Sequence, residues 1–231
     1  MEHSRHFDLN LGCLGHVPIF SGLTGGEAEE IARIASTRSF QKGESVYQVG
    51  DQGGTLFVLH IGRVKIYRLS ANGKEQVLRV AGPGEFIGEL SLFSSLPLTD
   101  HAQALENTTV CVLQGGRLKE LMAKYPAIAF KVMDVMSRRL EKADQLIESI
   151  NLSSVTQRLA QSLLEQANAK DVVVLQMAKG DYASQLGMSQ ETLSRKLAEM
   201  QEVGLIELSG HRKIIIKDKA ALENIRLSDA Q

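Results

Sequence analysis

Apolar and polar positions change their spacing three times along the chain. Residues 20 to about 35, "FSGLTGGEAEEIARIA", read as a short helix that starts at Thr24, with Glu27, Glu29 and Glu30 in its first turns, where carboxylates suit the helix dipole. From about Phe40 to Leu113 the pattern shortens to β runs: "SVYQV", "TLFVLHI", "RVKIYRL", "EQVLRV" and "TTVCVL". Glycines at 43, 50, 53, 54 and 62, then "SANGK" and "AGPGEFIG", separate them, so turn signals recur about every ten residues. Short strands at that spacing predict a sandwich or barrel. "SANGK" reads as a hairpin with Asn72-Gly73 at its tip.

From Pro126 to about residue 152 the period becomes helical. Ala129, Met133, Met136, Leu140, Ala143, Ile147 and Ile150 follow one another in steps of four and three. That is the a/d seam of a coiled coil, which keeps one stripe facing a partner helix. Arg138, Arg139, Glu141, Lys142, Asp144 and Glu148 fall off the seam, and Val132, Val135 and Leu146 add apolar surface beside it. The helix can therefore pack on its own β domain, pair with a second copy, or do both.

The last segment, 153–231, has its own order. "SSVTQRLAQSLLEQAN" is an amphipathic helix, "DVVVLQM" a strand, and "KGDYASQLG" a short helix ended by Gly187. Ser189 is placed to cap a second helix that runs to about Glu202, and "GLIELSGHRKIIIKD" is a hairpin turning at "SGHR". Helix, turn, helix and hairpin make a winged helix-turn-helix. Leu193, Leu197 and Met200 give the second helix a buried face. Glu191, Ser194 and Arg195, at i, i+3 and i+4, share another edge. Such an edge suits the major groove: arginine bridges the two acceptors of guanine, glutamate accepts from cytosine, and serine serves either. The same residues would equally make a solvated face with a Glu191–Arg195 ion pair.

Composition narrows the function. The 231 residues include 26 basic and 27 acidic side chains, a formal net charge of −1, so no global basic field points to nucleic acid. From Val155 to Gln231 ten basic residues balance ten acidic ones. Phosphate contacts would then come from placed groups: Ser189, Gln190, Thr192, Lys196, His211 and Arg212. No apolar run reaches bilayer length and the first residues lack the charge and apolar pattern of a signal peptide, so a cytoplasmic protein without a membrane partner is expected. Two cysteines, Cys13 and Cys111, are too few for a four-cysteine iron–sulfur cluster within one chain. No Ser/His/Asp set, phosphate-cradling glycine loop or paired acid motif suggests an enzyme. The histidines are scattered without metal-ligand spacing, and Cys13-x-x-His16 is not the haem-attachment pattern.

In this order of parts the chain resembles the CRP/FNR family of bacterial transcription regulators along nearly its whole length. "QETLSR" looks like the E-x-x-S-R signature of the FNR branch; Gln190 stands where the cyclic-AMP receptor branch has an arginine. The resemblance implies an α+β protein: an N-terminal arm (1–19), a cyclic-nucleotide-binding-type β-roll or jelly roll (20–125), a dimerisation helix (126–152) and a winged helix-turn-helix (153–231). It implies a homodimer on double-stranded DNA, with Glu191, Ser194 and Arg195 reading a TTGAT-type half-site of an inverted repeat, and RNA polymerase as a further partner. Nucleotide-binding members hold the ribose through a glycine-glutamate pair, present here as Gly88-Glu89, and the phosphate through an Arg-Ser/Thr pair, whose expected place is taken by His101 and Ala102. Without that guanidinium, cyclic AMP is not expected, and Glu89 reads as a turn residue inherited with the fold. Cys13 and Cys111 resemble the two-cysteine, cluster-lacking members in which these thiols join as a redox switch; a cysteine flanked by valines is equally a core residue. Haem occurs in the family, but no residue here singles it out. The alternative reading is a cyclic-nucleotide-binding regulatory module that acts on a protein partner.

Overall fold

The computed structural model describes residues 17–21, 24–94 and 96–228. Cys13 and most of the 1–19 arm lie outside them. Packing divides the chain into two units. One runs to Gly73 and resumes over Leu78–Arg139; the other takes Lys74–Val77 and continues from Leu140.

The first unit opens with helix α1 (Gly25–Ile34), where the Thr24 N–H donates to the Glu27 carboxylate at 2.7 Å. Eight strands follow: β1 (Ala35–Phe40), β2 (Ser45–Tyr47), β3 (Thr55–Ile61), β4 (Val64–Leu69), β5 (Glu75–Ala81), β6 (Phe86–Ile87), β7 (His101–Ala104) and β8 (Thr108–Gln114). A short helix α2 (Glu89–Ser94) sits between β6 and β7; α3 (Gly115–Lys124) and the long α4 (Pro126–Leu152) come after β8. The strands form two four-stranded sheets, ordered β1-β8-β3-β6 and β2-β7-β4-β5. This is the expected β-roll.

Why "TLFVLHI" and "TTVCVL" are apolar throughout is now plain. Strand side chains alternate between faces, and both faces of β3 and β8 are covered. Phe57, Leu59, Val110 and Val112 join Val64, Ile66, Ala81 and Ala102 between the sheets. Leu56, Val58, Cys111 and Leu113 face the other way, toward Ile31, Leu118, Leu121, Ile128 and Val132 of the helices. The expected tip of "SANGK" is a tight turn: Gly73, at φ 78, donates its N–H to the Ser70 carbonyl at 2.9 Å.

Helix α4 uses separate stripes. Ile128 and Val132 are buried in the core of the first unit, with Val135 and Met136 packed against it. Of the predicted seam, Met136 is drawn into that packing and Ala129 is half-buried, while Met133, Leu140, Ala143 and Ile147 are exposed. The side chain of Ile150 lies outside the described set. Phe130, which no spacing argument selected, is 68% exposed beside them.

The second unit comprises α5 (Val155–Gln166), β9 (Val172–Val174), α6 (Lys179–Gln185), α7 (Gln190–Glu202), β10 (Ile206–Ser209), β11 (Lys213–Ile216) and α8 (Lys219–Leu227). Its three strands are ordered β10-β11-β9 and antiparallel. Helix α8 is capped by Asp218, buries Leu222 and packs on α5. No described helix is long and apolar enough to cross a membrane.

Candidate nucleic-acid interface and sensor pocket

Each part of the helix-turn-helix has a local cause. Burial pushes the Tyr182 hydroxyl up to about 12, so it stays neutral; it lies 2.8 Å from Ser162 Oγ and pins α6 against α5. The α6 helix ends through Gly187, whose φ of 68 favours glycine, with its N–H on the Ser184 carbonyl at 3.0 Å. Ser189 then caps α7: its Oγ accepts the Thr192 N–H at 3.1 Å. Leu193, Leu197 and Met200 are buried, so the orientation of α7 is fixed by its apolar side.

The opposite edge is available. Glu191, Ser194 and Arg195 are all exposed, as are Ser189 and Gln190, while Thr192 and Lys196 are half-buried. Glu191 and Arg195 do not pair with each other. Arg195 Nε lies 3.9 Å from Glu199 Oε1, and Lys196 takes the closer contact with Glu199 at 2.6 Å. A 3.9 Å exposed contact contributes little, which leaves the Arg195 guanidinium free to swing. His211 and Arg212 are exposed at the tip of the β10–β11 hairpin, after Gly210 at φ 71.

Arg158 also holds this unit together. It is 8% exposed, and its guanidinium donates to the Leu186 carbonyl at the end of α6 (3.1 Å) and to the Ser153 carbonyl just after α4 (2.7 Å). A fixed cation therefore satisfies two chain carbonyls at helix C-termini, where positive charge is favoured. A hydrophobic-periodicity reading misses it, because an arginine on an amphipathic helix normally faces water.

In the first unit a cavity of ≈90 Å³ is lined by Tyr47, Ile66, Leu78, Arg79, Gly88, Glu89, Leu90, Leu98, Thr99 and Asp100. Gly88 is at φ 86 and packs within 2.5 Å, measured from where a Cβ would sit, of the Thr55 carbonyl, so only glycine fits. Gly88 and Glu89 are thus where the resemblance put them. His101 is not. Its ring stacks on Tyr67 at 5.1 Å, and Thr99 and Asp100 line the cavity instead, because β7 begins only at residue 101. Ala102 is buried between the sheets.

Glu89 is more than a turn residue. Its Oε1 accepts from Arg79 Nη2 at 3.0 Å and from Arg139 Nη1 of α4 at 2.5 Å. Both arginines also bond the Phe86 carbonyl, and the Arg139 guanidinium lies 4.4 Å from the centre of the Phe86 ring. Burial, then the nearby Arg79 charge, holds Arg139 below the usual arginine range. Asp100 is 5% exposed and hydrogen-bonded to Tyr47; burial raises its carboxyl above the ordinary value. Cys111 is 1% exposed among the helix-facing residues of β8 and is disulfide-bonded, so it is not an inert core thiol.

Comparison with known proteins turns this architecture into a family assignment. A cyclic nucleotide-binding domain model matches residues 37–125, and a Crp-like helix-turn-helix domain model matches residues 157–225. The probable transcriptional regulator flp of Lacticaseibacillus casei is 31% identical over 206 residues, covering 88% of this chain and 94% of that protein. The chain belongs to the CRP/FNR family. The cyclic AMP receptor protein of Thermus thermophilus is 28% identical over 208 residues, covering 90% of this chain and 96% of that one. Among solved structures, FixK2 from Bradyrhizobium japonicum superposes with a TM-score of 0.73 at 25% identity, covering 85% of this chain and all of that one. This CRP/FNR-family chain is therefore a transcription regulator with a DNA-binding helix-turn-helix, and not an enzyme.

Proposed function

We propose that this CRP/FNR-family regulator acts as a homodimer on an inverted TTGAT-type repeat, under redox control. The observation that carries the base readout is the exposed Glu191–Ser194–Arg195 edge on a helix fixed from behind by Leu193, Leu197 and Met200. Arg195 supplies a bidentate donor for guanine and Glu191 an acceptor for the cytosine amino group. Phosphate contacts come from Ser189, Gln190, Thr192 and Lys196 around the start of α7, helped by its N-terminal N–H groups, and from His211 and Arg212 on the wing. The second copy packs on Met133, Leu140, Ala143 and Ile147, a seam the chain leaves exposed.

Redox control is supported by the disulfide at Cys111, with Cys13 as the chain's other cysteine. In a reducing compartment a disulfide is a switch more readily than a scaffold. Making or breaking it repopulates two arrangements of the α4 pair and so changes the spacing of the two recognition helices. Cyclic AMP is a poor fit to this reading: Asp100 presents a carboxyl to the cavity, and Arg79 is engaged by Glu89.

The test is binding to a TTGAT-palindrome duplex and to a scrambled one, under reductant and under oxidant, with Cys13→Ser and Cys111→Ser variants alongside. Equal affinity for both duplexes would defeat the base readout. An oxidant response that persists in both variants would defeat the switch.

A further inference from the structure

We infer that Ser184 is a positioning residue for DNA binding: it straps residues 74–77 onto helix α6 and so braces the turn that aims α7. Strand β5 is the edge of its sheet, and the open side of an edge strand leaves backbone N–H and C=O groups without a ladder partner. At Glu75 and Val77 one side chain takes both. Ser184 Oγ donates to the Glu75 carbonyl at 2.9 Å and accepts the Val77 N–H at 2.8 Å. Gln76 returns the contact, its Nε2 donating to the Ser184 carbonyl at 2.6 Å. Packing accordingly counts Lys74–Val77 with the second unit, and the chain rejoins the first at Leu78. A hydroxyl donates and accepts at one spot, so the two strand groups select serine or threonine at position 184.

The strap meets the helix-turn-helix where the direction of α7 is set. The Ser184 carbonyl that accepts from Gln76 also accepts the Gly187 N–H at 3.0 Å, so strap and turn share one oxygen. Two residues after Gly187, Ser189 opens α7. What the strap leaves uncovered gives the sign of its effect. Lys74 and Glu75 line one groove with Ser189 and Gln190, yet Ser189, Gln190 and the Glu191–Ser194–Arg195 edge all stay exposed. The strapped arrangement therefore offers the reading edge to DNA instead of hiding it. Holding the turn ready beforehand lowers the ordering cost of binding. Releasing the strap should weaken DNA binding.

This inference rests on DNA contact through α7 and not on the choice of half-site. Full-length Ser184→Ala and Ser184→Thr proteins are compared with the wild type on the palindrome duplex and on the scrambled one. Alanine suits a helix interior better than serine, so Ser184→Ala removes the strap without weakening α6. Two hydrogen bonds between neutral groups set the scale at about 5- to 150-fold. Ser184→Ala should therefore bind both duplexes at least about fivefold more weakly, and Ser184→Thr close to the wild type. Without DNA, hydrogen exchange at the Val77 amide should quicken in Ser184→Ala and not in Ser184→Thr, with circular dichroism and sedimentation unchanged. A wild type that binds both duplexes equally counts against the half-site and leaves this comparison intact, because the two duplexes carry the same phosphates. Unchanged or tighter DNA binding in Ser184→Ala, a loss that threonine does not restore, or a Val77 amide that exchanges no faster in the alanine variant would overturn the assignment.

Discussion

Replacing Arg139 by methionine tests whether Glu89 is the charge hub of the β-roll. The substitution keeps much of the apolar stem and removes the guanidinium. Two charge-assisted hydrogen bonds go with it, at 2.5 Å to Glu89 and 2.8 Å to the Phe86 carbonyl, together with the cation–π contact over the Phe86 ring. Hydrogen bonds to charged groups contribute ~1.5–3 kcal/mol each, and a partly desolvated cation–π contact ~0.5–2 kcal/mol. Arg79 still neutralises Glu89, and the Arg139 side chain is 20% exposed, so solvent already offsets part of this. The expected loss is about 2–4 kcal/mol.

Glu89→Leu strands two guanidiniums and should cost about 3–5 kcal/mol, the usual penalty for breaking a buried pair from one side. Combining the two substitutions should cost less than their sum, because Arg139→Met removes one of the stranded charges; a coupling of ~1–3 kcal/mol is expected for residues in contact. The sequence contains no tryptophan, so urea unfolding is followed by far-ultraviolet circular dichroism. If Arg139→Met stays within about 0.5 kcal/mol of the wild type at unchanged slope, or if the cycle is additive, the network has no energetic role and the reasoning fails.

Other outcomes follow from the same structure. Leu140→Glu with Ile147→Glu places charge on the exposed seam and should shift the protein to monomer in sedimentation, with operator affinity falling in parallel; a stable dimer would refute the seam. Arg195→Ala should lower discrimination between the palindrome and a guanine-substituted duplex by ~1–3 kcal/mol, about five- to 150-fold, while affinity for nonspecific DNA hardly moves in a competition assay. The neutral charge of the DNA-binding segment should give a shallow plot of log affinity against log salt, and a slope of the size produced by about ten phosphate contacts would contradict it. Burial raises the folded-state carboxyl of Asp100, so the folded protein holds that proton to higher pH than the unfolded chain. Its contribution to stability is therefore present at low pH and lost as pH rises from the ordinary value of 3.8 through the raised one; Asp100→Asn should flatten that part of a urea-midpoint profile.

The legible parts of the sequence were those governed by period and capping. "TLFVLHI" became β3 over the same seven residues, and Thr24, Ser189 and Gly187 mark the helix ends assigned to them. Strand β1, "ASTRSF", falls between the helix pattern that stops near Ala35 and the β pattern that starts near Phe40, because its alternation carries hardly an apolar residue; its pairing with β8 makes it a strand. Strands β6 and β7 are too short for any period to show. Charged contacts were the least legible. Arg79, Arg139 and Arg158 each reach partners ten to fifty residues away, a distance at which side-chain spacing says nothing. The cavity lining shows the same limit: whether His101 or Asp100 faces Glu89 is decided by where β7 starts.

Helix α4 ties these features together through the direction each of its side chains takes. Ile128 and Val132 anchor it in the β-roll core, Arg139 reaches Glu89 at the cavity, and Met133, Leu140, Ala143 and Ile147 stay exposed. The core stripe and the 3.5-residue seam are largely separate, with Val132 and Val135 beside the seam, and they meet at Met136, a seam position packed against the core. Arg139 directly precedes Leu140 of the seam, so anything that competes for Glu89 acts within one residue of the surface offered to a second copy. Such a ligand can shift the seam only by its difference in affinity for two arrangements of the Glu89–Arg139 contact. That difference is bounded by the coupling the double-mutant cycle measures. A cycle near zero would leave the pocket with no energetic route to the dimer, whatever binds in it.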